Sequence, residues 1–343
     1  NANQVVFAKS GGGKSYATKL EIVRSLMVGT DVIVIDPENE YHRLAEAFGG
    51  SFFNISISSP EHINPFDIPI IPEDESPADV LRNHVVNLSG LLKLMLGKLS
   101  SEEDAILDRA VTETYASREI TPDVDFTNAT APLLEDLETV LRNLSGGVSM
   151  ADRLYKFTRG SFSGFINQYT NVDISNRLIV FSIRDLEEEL RPIAMYVVLN
   201  FIWNLIRAKF KRRVLIVDEA WIMMKNDDSA QFMFGLVKRA RKYFLGVTTI
   251  TQDVEDFLRS PYGRPIVTNS SIQLLLKQAP ATIDILAKAF DLTEAEKALL
   301  LGAEVGTGLF FAGRRHVAIQ IIPSFFEDKV ITTDPKQLLA ERG

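Results

Sequence analysis

Eight consecutive residues carry the first legible chemistry: Ala8-Lys9-Ser10-Gly11-Gly12-Gly13-Lys14-Ser15. A loop that wraps phosphate must turn successive backbone N–H groups inward, which takes residues tolerant of unusual φ and ψ, hence the glycines. It must also discharge into a helix, whose amino-terminal amides and dipole favour an anion. Lys14 then offers a cation to the β- and γ-phosphates, and Ser15 offers a hydroxyl to Mg²⁺. The nucleotide-binding set is therefore Ser10, Gly11, Gly12, Gly13, Lys14, Ser15 and Tyr16, and the expected ligands are ATP or ADP with Mg²⁺. The pattern opens on Gly, where this chain has Ala8. Alanine is tolerated there provided φ stays negative. Lys9 reads as a solvated loop lysine before it reads as a phosphate contact.

A second set of residues complements the first. Val214-Leu215-Ile216-Val217 is an apolar run that ends in Asp218-Glu219, and ligands of open α/β sheets sit at the carboxyl ends of strands. Adjacent side chains at a strand end point different ways. Asp218 can thus share the metal with Ser15 while Glu219 polarises a water for in-line attack. The pair favours hydrolysis over transfer to an acceptor. Gln252, closing Thr249-Ile250-Thr251, can report on the γ-phosphate. Lys238-Arg239-Ala240-Arg241-Lys242 reads either as a solvated basic face or as the source of an arginine acting in a neighbouring subunit's site. Arg241 is the first choice for that role, with Arg239 and Arg264 behind it. The expected catalytic set is Glu219, Lys14, Gln252 and Arg241. Asp36 also ends a strand and has an indirect role near the metal as one reading.

These residues need a scaffold, and the hydrophobic pattern supplies one. Gln4–Phe7, Asp31–Asp36 and Phe52–Ile55 read as strands separated by helices, a βαβαβ order that implies a parallel, doubly wound sheet. The unbroken apolar run 32–35 suits a strand buried on both faces. Around Pro69, Pro72 and Pro77 the pattern changes to helical spacing over Ala78–Leu96, Ser101–Ser117 and Pro132–Leu144, with Ser101 expected as a helix cap. Strands resume at 177–182, Val214–Asp218, Gly246–Thr251, Ile272–Leu276, Gly308–Ala312 and Val317–Ile322, and a long helix from Pro192 to Phe210 is expected to feed the Val214 strand. The expected division is an α/β domain over 1–69 and 169–343, interrupted by an all-helical insertion over 70–168. The insertion serves as a lid or packing surface, or as a partner-docking site. The stretch 306–315 reads as a last hairpin, near the nucleotide base or simply at the sheet edge.

Composition narrows the function classes. The 343 residues are 46% hydrophobic and 24% charged, ordinary for a chain with a real core. No apolar run reaches the roughly 18 residues of a membrane span. Cysteine is absent and there are four histidines, without metal-ligand spacing, which excludes disulfides and disfavours a zinc enzyme. The net charge of −8 argues against bulk attraction to nucleic acid, so DNA is allowed but not favoured as a partner. The chain opens two residues before a strand-like run, which reads as a piece whose amino-terminal part has been removed.

With these motifs in hand, the chain resembles the large ATPases of type IV secretion and conjugative transfer, the TraC/TrbE type. The resemblance runs through the phosphate loop, Val34-Ile35-Asp36-Pro37-Glu38-Asn39-Glu40-Tyr41, Asn171-Val172-Asp173, Leu178–Phe181 and Asp218-Glu219-Ala220-Trp221. It continues through Arg239–Tyr243 and Thr251-Gln252-Asp253 to Thr332-Thr333-Asp334-Pro335. It implies a RecA-like P-loop NTPase with a mostly parallel central sheet flanked by helices. It further implies the carboxy-terminal motor of a longer protein, a homo-hexamer at the cytoplasmic face of the inner membrane in bacteria. Its partners would be ATP, inner-membrane channel proteins and the coupling ATPase, although the isolated piece can be monomeric. Two other readings are a DNA-translocating motor of the HerA/FtsK sort and a nucleotide-gated scaffold that barely hydrolyses.

Overall fold

A computed structural model describes residues 2–71, 75–124, 126, 129–313 and 315–332. Pro72, Arg314 and the motif residues Thr333, Asp334 and Pro335 lie outside them. The chain divides into two compact units. One comprises residues 1–53, 173–182 and 211–343, and the other residues 54–172 and 183–210.

Among the described residues the first unit is built on nine strands: β1 (Gln4–Phe7), β2 (Asp31–Asp36), β3 (Ser51–Asn54), β4 (Leu178–Ser182), β5 (Arg213–Val217), β6 (Leu245–Thr251), β7 (Ile272–Leu275), β8 (Thr307–Ala312) and β9 (Arg315–Gln320). Their order across the sheet is β3-β4-β2-β5-β6-β1-β7-β8-β9. The run from β4 to β7 is parallel, and β8 and β9 add an antiparallel hairpin. All six residues of β2 are buried, because helices cover both faces of a central parallel strand. Val6, Leu20, Ile22, Val34, Val180, Ile216 and Ile250 form the core of one face. Parallel pairing brings the carboxyl ends of β1, β2, β5 and β6 together although they are separated by up to about 240 residues in sequence.

The second unit is helical. Its helices include Pro77–Leu96, Ser101–Ala116, Leu134–Asn143, Val148–Thr158 and Arg191–Ala208. The structure differs from the sequence reading in two respects here. The cap of the second helix is Ser100, not Ser101: its hydroxyl accepts from Glu103 N at 3.1 Å while the Glu103 carboxylate accepts from Ser100 N at 2.9 Å, a reciprocal capping box. The long helix expected to belong with the sheet instead packs on Pro77–Leu96. The Tyr196 hydroxyl donates to Asn87 O at 2.8 Å, and a Cβ on Gly90 would lie 2.6 Å from that hydroxyl. Residues 183–210 are therefore part of the helical unit, which begins at 54 and not at 70. No helix among the described residues is long and apolar enough to cross a membrane.

Candidate nucleotide site

The glycine loop leaves β1 and enters the Lys14–Met27 helix. Gly11 (φ 71°) and Gly13 (φ 96°) take left-handed backbone. A Cβ on Gly13 would stand 2.8 Å from Gly306 N, so the loop needs glycine there for both conformation and room. Ala8 is buried and not among the positive-φ residues, which satisfies the condition for alanine at that place. Gly13 caps the helix without a side-chain bond, leaving its first turn to be completed by an anion.

Asp218 and Glu219 follow β5 directly. The Lys14 ammonium lies 3.0 Å from Asp218 Oδ1 and 2.7 Å from Glu219 Oε1. The phosphate-loop lysine and the strand-end acids thus occupy one place. The two acids were expected to diverge; instead both reach the same cation, because Glu219 turns through a left-handed φ of 48°. Burial works against the charge of Lys14, but the two carboxylates outweigh it and its pKa is raised. Burial pushes the Asp218 carboxyl up to about 6 against the opposing pull of Lys14.

Several site residues escaped the sequence reading. Asp36 does not face the cleft as an acid; its carboxylate accepts from Glu40 N at 3.0 Å and Tyr41 N at 2.9 Å, folding the turn after β2. That turn places the Glu40 carboxylate on the Ser15 hydroxyl and the Tyr41 hydroxyl 3.2 Å from Asp218 Oδ2. The Trp221 indole N–H donates to Glu219 Oε2 at 2.7 Å, so each oxygen of that carboxylate has its own donor. Glu40 and Tyr41 stood in the motif after β2 and Trp221 two places after Glu219, so their nearness was legible even though their roles were not. Asp328 and Thr332 had no local signal. The Tyr16 hydroxyl donates to Asp328 at 2.7 Å, about 310 residues along the chain.

Beside these residues opens a cleft of about 630 Å³, lined by Ser10, Gly11, Gly13, Lys14, Ser15, Tyr16, Glu38, Glu40, Glu219, Gln252, Val305, Asp328 and Thr332. Of the residues singled out in the sequence, Ser10, Gly11, Gly13, Lys14, Ser15, Tyr16, Glu219 and Gln252 line this cleft, whereas Gly12 and Asp218 do not. Val305, just before β8, is what the last hairpin contributes. Arg241, Arg239 and Arg264 do not line this cleft. Arg241 is exposed and precedes β6, at the end of the strand opposite to Gln252.

The sheet order, the loop and the acids at the neighbouring strand end define a RecA-like P-loop NTPase domain. The TraG P-loop domain family matches residues 1–307. VirB4 of Thermoanaerobacter pseudethanolicus has a similar structure, with a TM-score of 0.87 and 31% identity, covering 95% of this chain and 91% of that one. The type IV secretion system protein VirB4 of Bartonella quintana is 23% identical over 305 residues, 87% of this chain and 36% of its own length. The plasmid coupling protein TrwB, solved with ADP and Mg²⁺, shares the fold with a TM-score of 0.60 at 13% identity, over 94% of this chain and 86% of its own. The chain belongs to the TraG P-loop domain family, within its VirB4 type. It spans about two-fifths or less of the length of the curated relatives it matches.

Proposed function

We propose that this chain hydrolyses ATP as the motor part of a longer type IV secretion ATPase, driving pilus assembly or substrate passage. One observation carries the reading: Lys14, at the end of the glycine loop, is held by the two acids that close β5. A triphosphate on the loop competes for that ammonium. As Lys14 turns to the phosphates, Glu219 Oε1 is released while Trp221 keeps Oε2 in place. Glu219 can then accept a proton from a water attacking the γ-phosphorus, and the bond from that phosphorus to the β,γ-bridging oxygen breaks to give ADP and phosphate. Gln252 at the cleft wall is suited to orient that water.

The donor set suits Mg²⁺, a hard cation that takes oxygen ligands and stays bound to phosphates: the Ser15 hydroxyl lies in the cleft against the Glu40 carboxylate, and Asp218 is tied to the residue after Glu40 through the Tyr41 hydroxyl at 3.2 Å. Ser15 and Asp218 would hold the ion, which neutralises charge on the β- and γ-phosphates when bound. Arg241 is the proposed trans-acting arginine, in a homo-hexamer at the inner face of the membrane with channel proteins and the coupling ATPase as partners. Support for it is positional: its surface is remote from its own cleft, as a residue serving a neighbour must be.

The test is phosphate release by the wild type, Lys14→Ala, Glu219→Gln and Arg241→Ala across protein concentration. Specific activity is expected to rise with concentration in the wild type and to stay low in all three variants. Unchanged turnover in Glu219→Gln would remove the base. ATP binding without turnover at any concentration would leave a nucleotide-gated scaffold.

A further inference from the structure

The Ser15 hydroxyl carries one proton and two lone pairs, and a metal that binds it takes a lone pair. Its proton then needs an acceptor elsewhere. The acid that closes β5 is committed to other donors: Asp218 Oδ1 accepts from Lys14 Nζ at 3.0 Å and from Glu219 N at 2.9 Å, and Asp218 Oδ2 accepts from the Tyr41 hydroxyl at 3.2 Å. The acceptor is instead the Glu40 carboxylate. Among the described residues it is the only side chain hydrogen-bonded to the Ser15 hydroxyl. Ser15 and Glu40 both line the cleft, whereas Asp218 does not.

The turn after β2 fixes Glu40 at this place. Asn39 takes a left-handed φ of 58°, and the buried Asp36 carboxylate ties down the amides of Glu40 and Tyr41. Tyr41 is fully buried, so packing anchors the chain on the carboxyl side of Glu40. Lys19, buried as well, lies 5.8 Å from the Tyr41 ring centroid and attracts both Glu40 and Asp36. The hydrolytic steps have no use for this second lysine; as a counter-charge behind Glu40 it has one. A carboxylate one bond removed from a metal ligand orients that ligand. It also makes the ligand a stronger donor, because a hydroxyl that donates to an anion gains electron density on its oxygen.

We propose that Glu40 is a positioning residue for Mg²⁺ in the nucleotide site, a role that rests on the reading of that site given above. It takes the Ser15 proton, leaves the lone pairs of that oxygen to the ion, and adds a negative charge beside it. The experiment follows the fluorescence of methylanthraniloyl-ADP with the whole chain, once as MgCl₂ is titrated in and once with EDTA present. Glu40→Ala removes the acceptor and should raise the Mg²⁺ concentration at half-saturation about 10-fold to 100-fold. Glu40→Gln keeps an oxygen acceptor at the same reach and should raise it less than about tenfold. In EDTA neither variant should bind the probe more weakly than the wild type, because a carboxylate near phosphates repels them. An unchanged Mg²⁺ requirement in Glu40→Ala would overturn the proposal. So would a loss of affinity in EDTA equal to the loss with Mg²⁺, the mark of a disturbed loop. A wild-type chain that fails to bind the probe under either condition would overturn the nucleotide-site reading itself, and the role of Glu40 with it.

Discussion

Replacing Trp221 with Phe tests the arrangement of the proposed base without touching the cleft. The indole donates to Glu219 Oε2 at 2.7 Å, and Trp221 is not a lining residue. Phe keeps a ring for Lys225, whose ammonium lies 4.3 Å from the Trp221 ring centroid, and loses only the donor. A hydrogen bond to a charged group contributes about 1.5–3 kcal/mol. Glu219 also sits at a φ that side chains other than glycine seldom adopt, held against a cost of order 1 kcal/mol by its partners. Once Lys14 is engaged by phosphate, Trp221 is the donor left to fix the carboxylate. If about half of the bond is expressed in the transition state, kcat should fall about fivefold to tenfold. KM should stay within about twofold, because the indole makes no contact a nucleotide would use. Steady-state phosphate release at saturating ATP, with affinity measured separately by titration of a fluorescent nucleotide, resolves the two. Unchanged kcat at unchanged affinity would refute the positioning argument, as would an equal loss in both accompanied by a lowered melting temperature.

Three further outcomes follow from the same geometry. Lys14→Ala leaves Asp218 and Glu219, 0% and 3% exposed, without their cation; the chain should lose about 3 kcal/mol or more near neutral pH and recover part of it on mild acidification, as read by denaturant unfolding at two pH values. Asp218, held at about 6 against about 3.9 in an unfolded chain, keeps a proton in the folded form that the unfolded form has lost. Its contribution to stability should thus fall as pH rises from about 4 to 6, by roughly 2–3 kcal/mol. The difference in unfolding free energy between wild type and Asp218→Asn should show that slope, and a flat difference would count against it. Gly13→Ala must carry a Cβ 2.8 Å from Gly306 N at φ 96°, whereas at Gly29 (φ 84°) the same atom meets nothing. Gly13→Ala should therefore cost about 2–4 kcal/mol and abolish nucleotide binding, while Gly29→Ala costs about 1 kcal/mol, both read from thermal melts.

The sequence by itself determined the parts that depend on neighbours in the chain. The loop from Ala8 to Ser15 is fixed by local backbone freedom and charge, and the strands by short apolar runs with clear punctuation, so the observed strands start and end within about two residues of the expected ones. Asp218 and Glu219 could be assigned to the loop because parallel sheets place their ligands at carboxyl ends, a rule that needs no coordinates. Tertiary structure decided what lies between distant segments. The helix Arg191–Ala208 is apolar on nearly every side, so its pattern could not say which unit would cover it; packing on Pro77–Leu96 did. The turn after β2 delivers Glu40 to Ser15, and the final helix brings Asp328 to Tyr16, through contacts that no local spacing encodes.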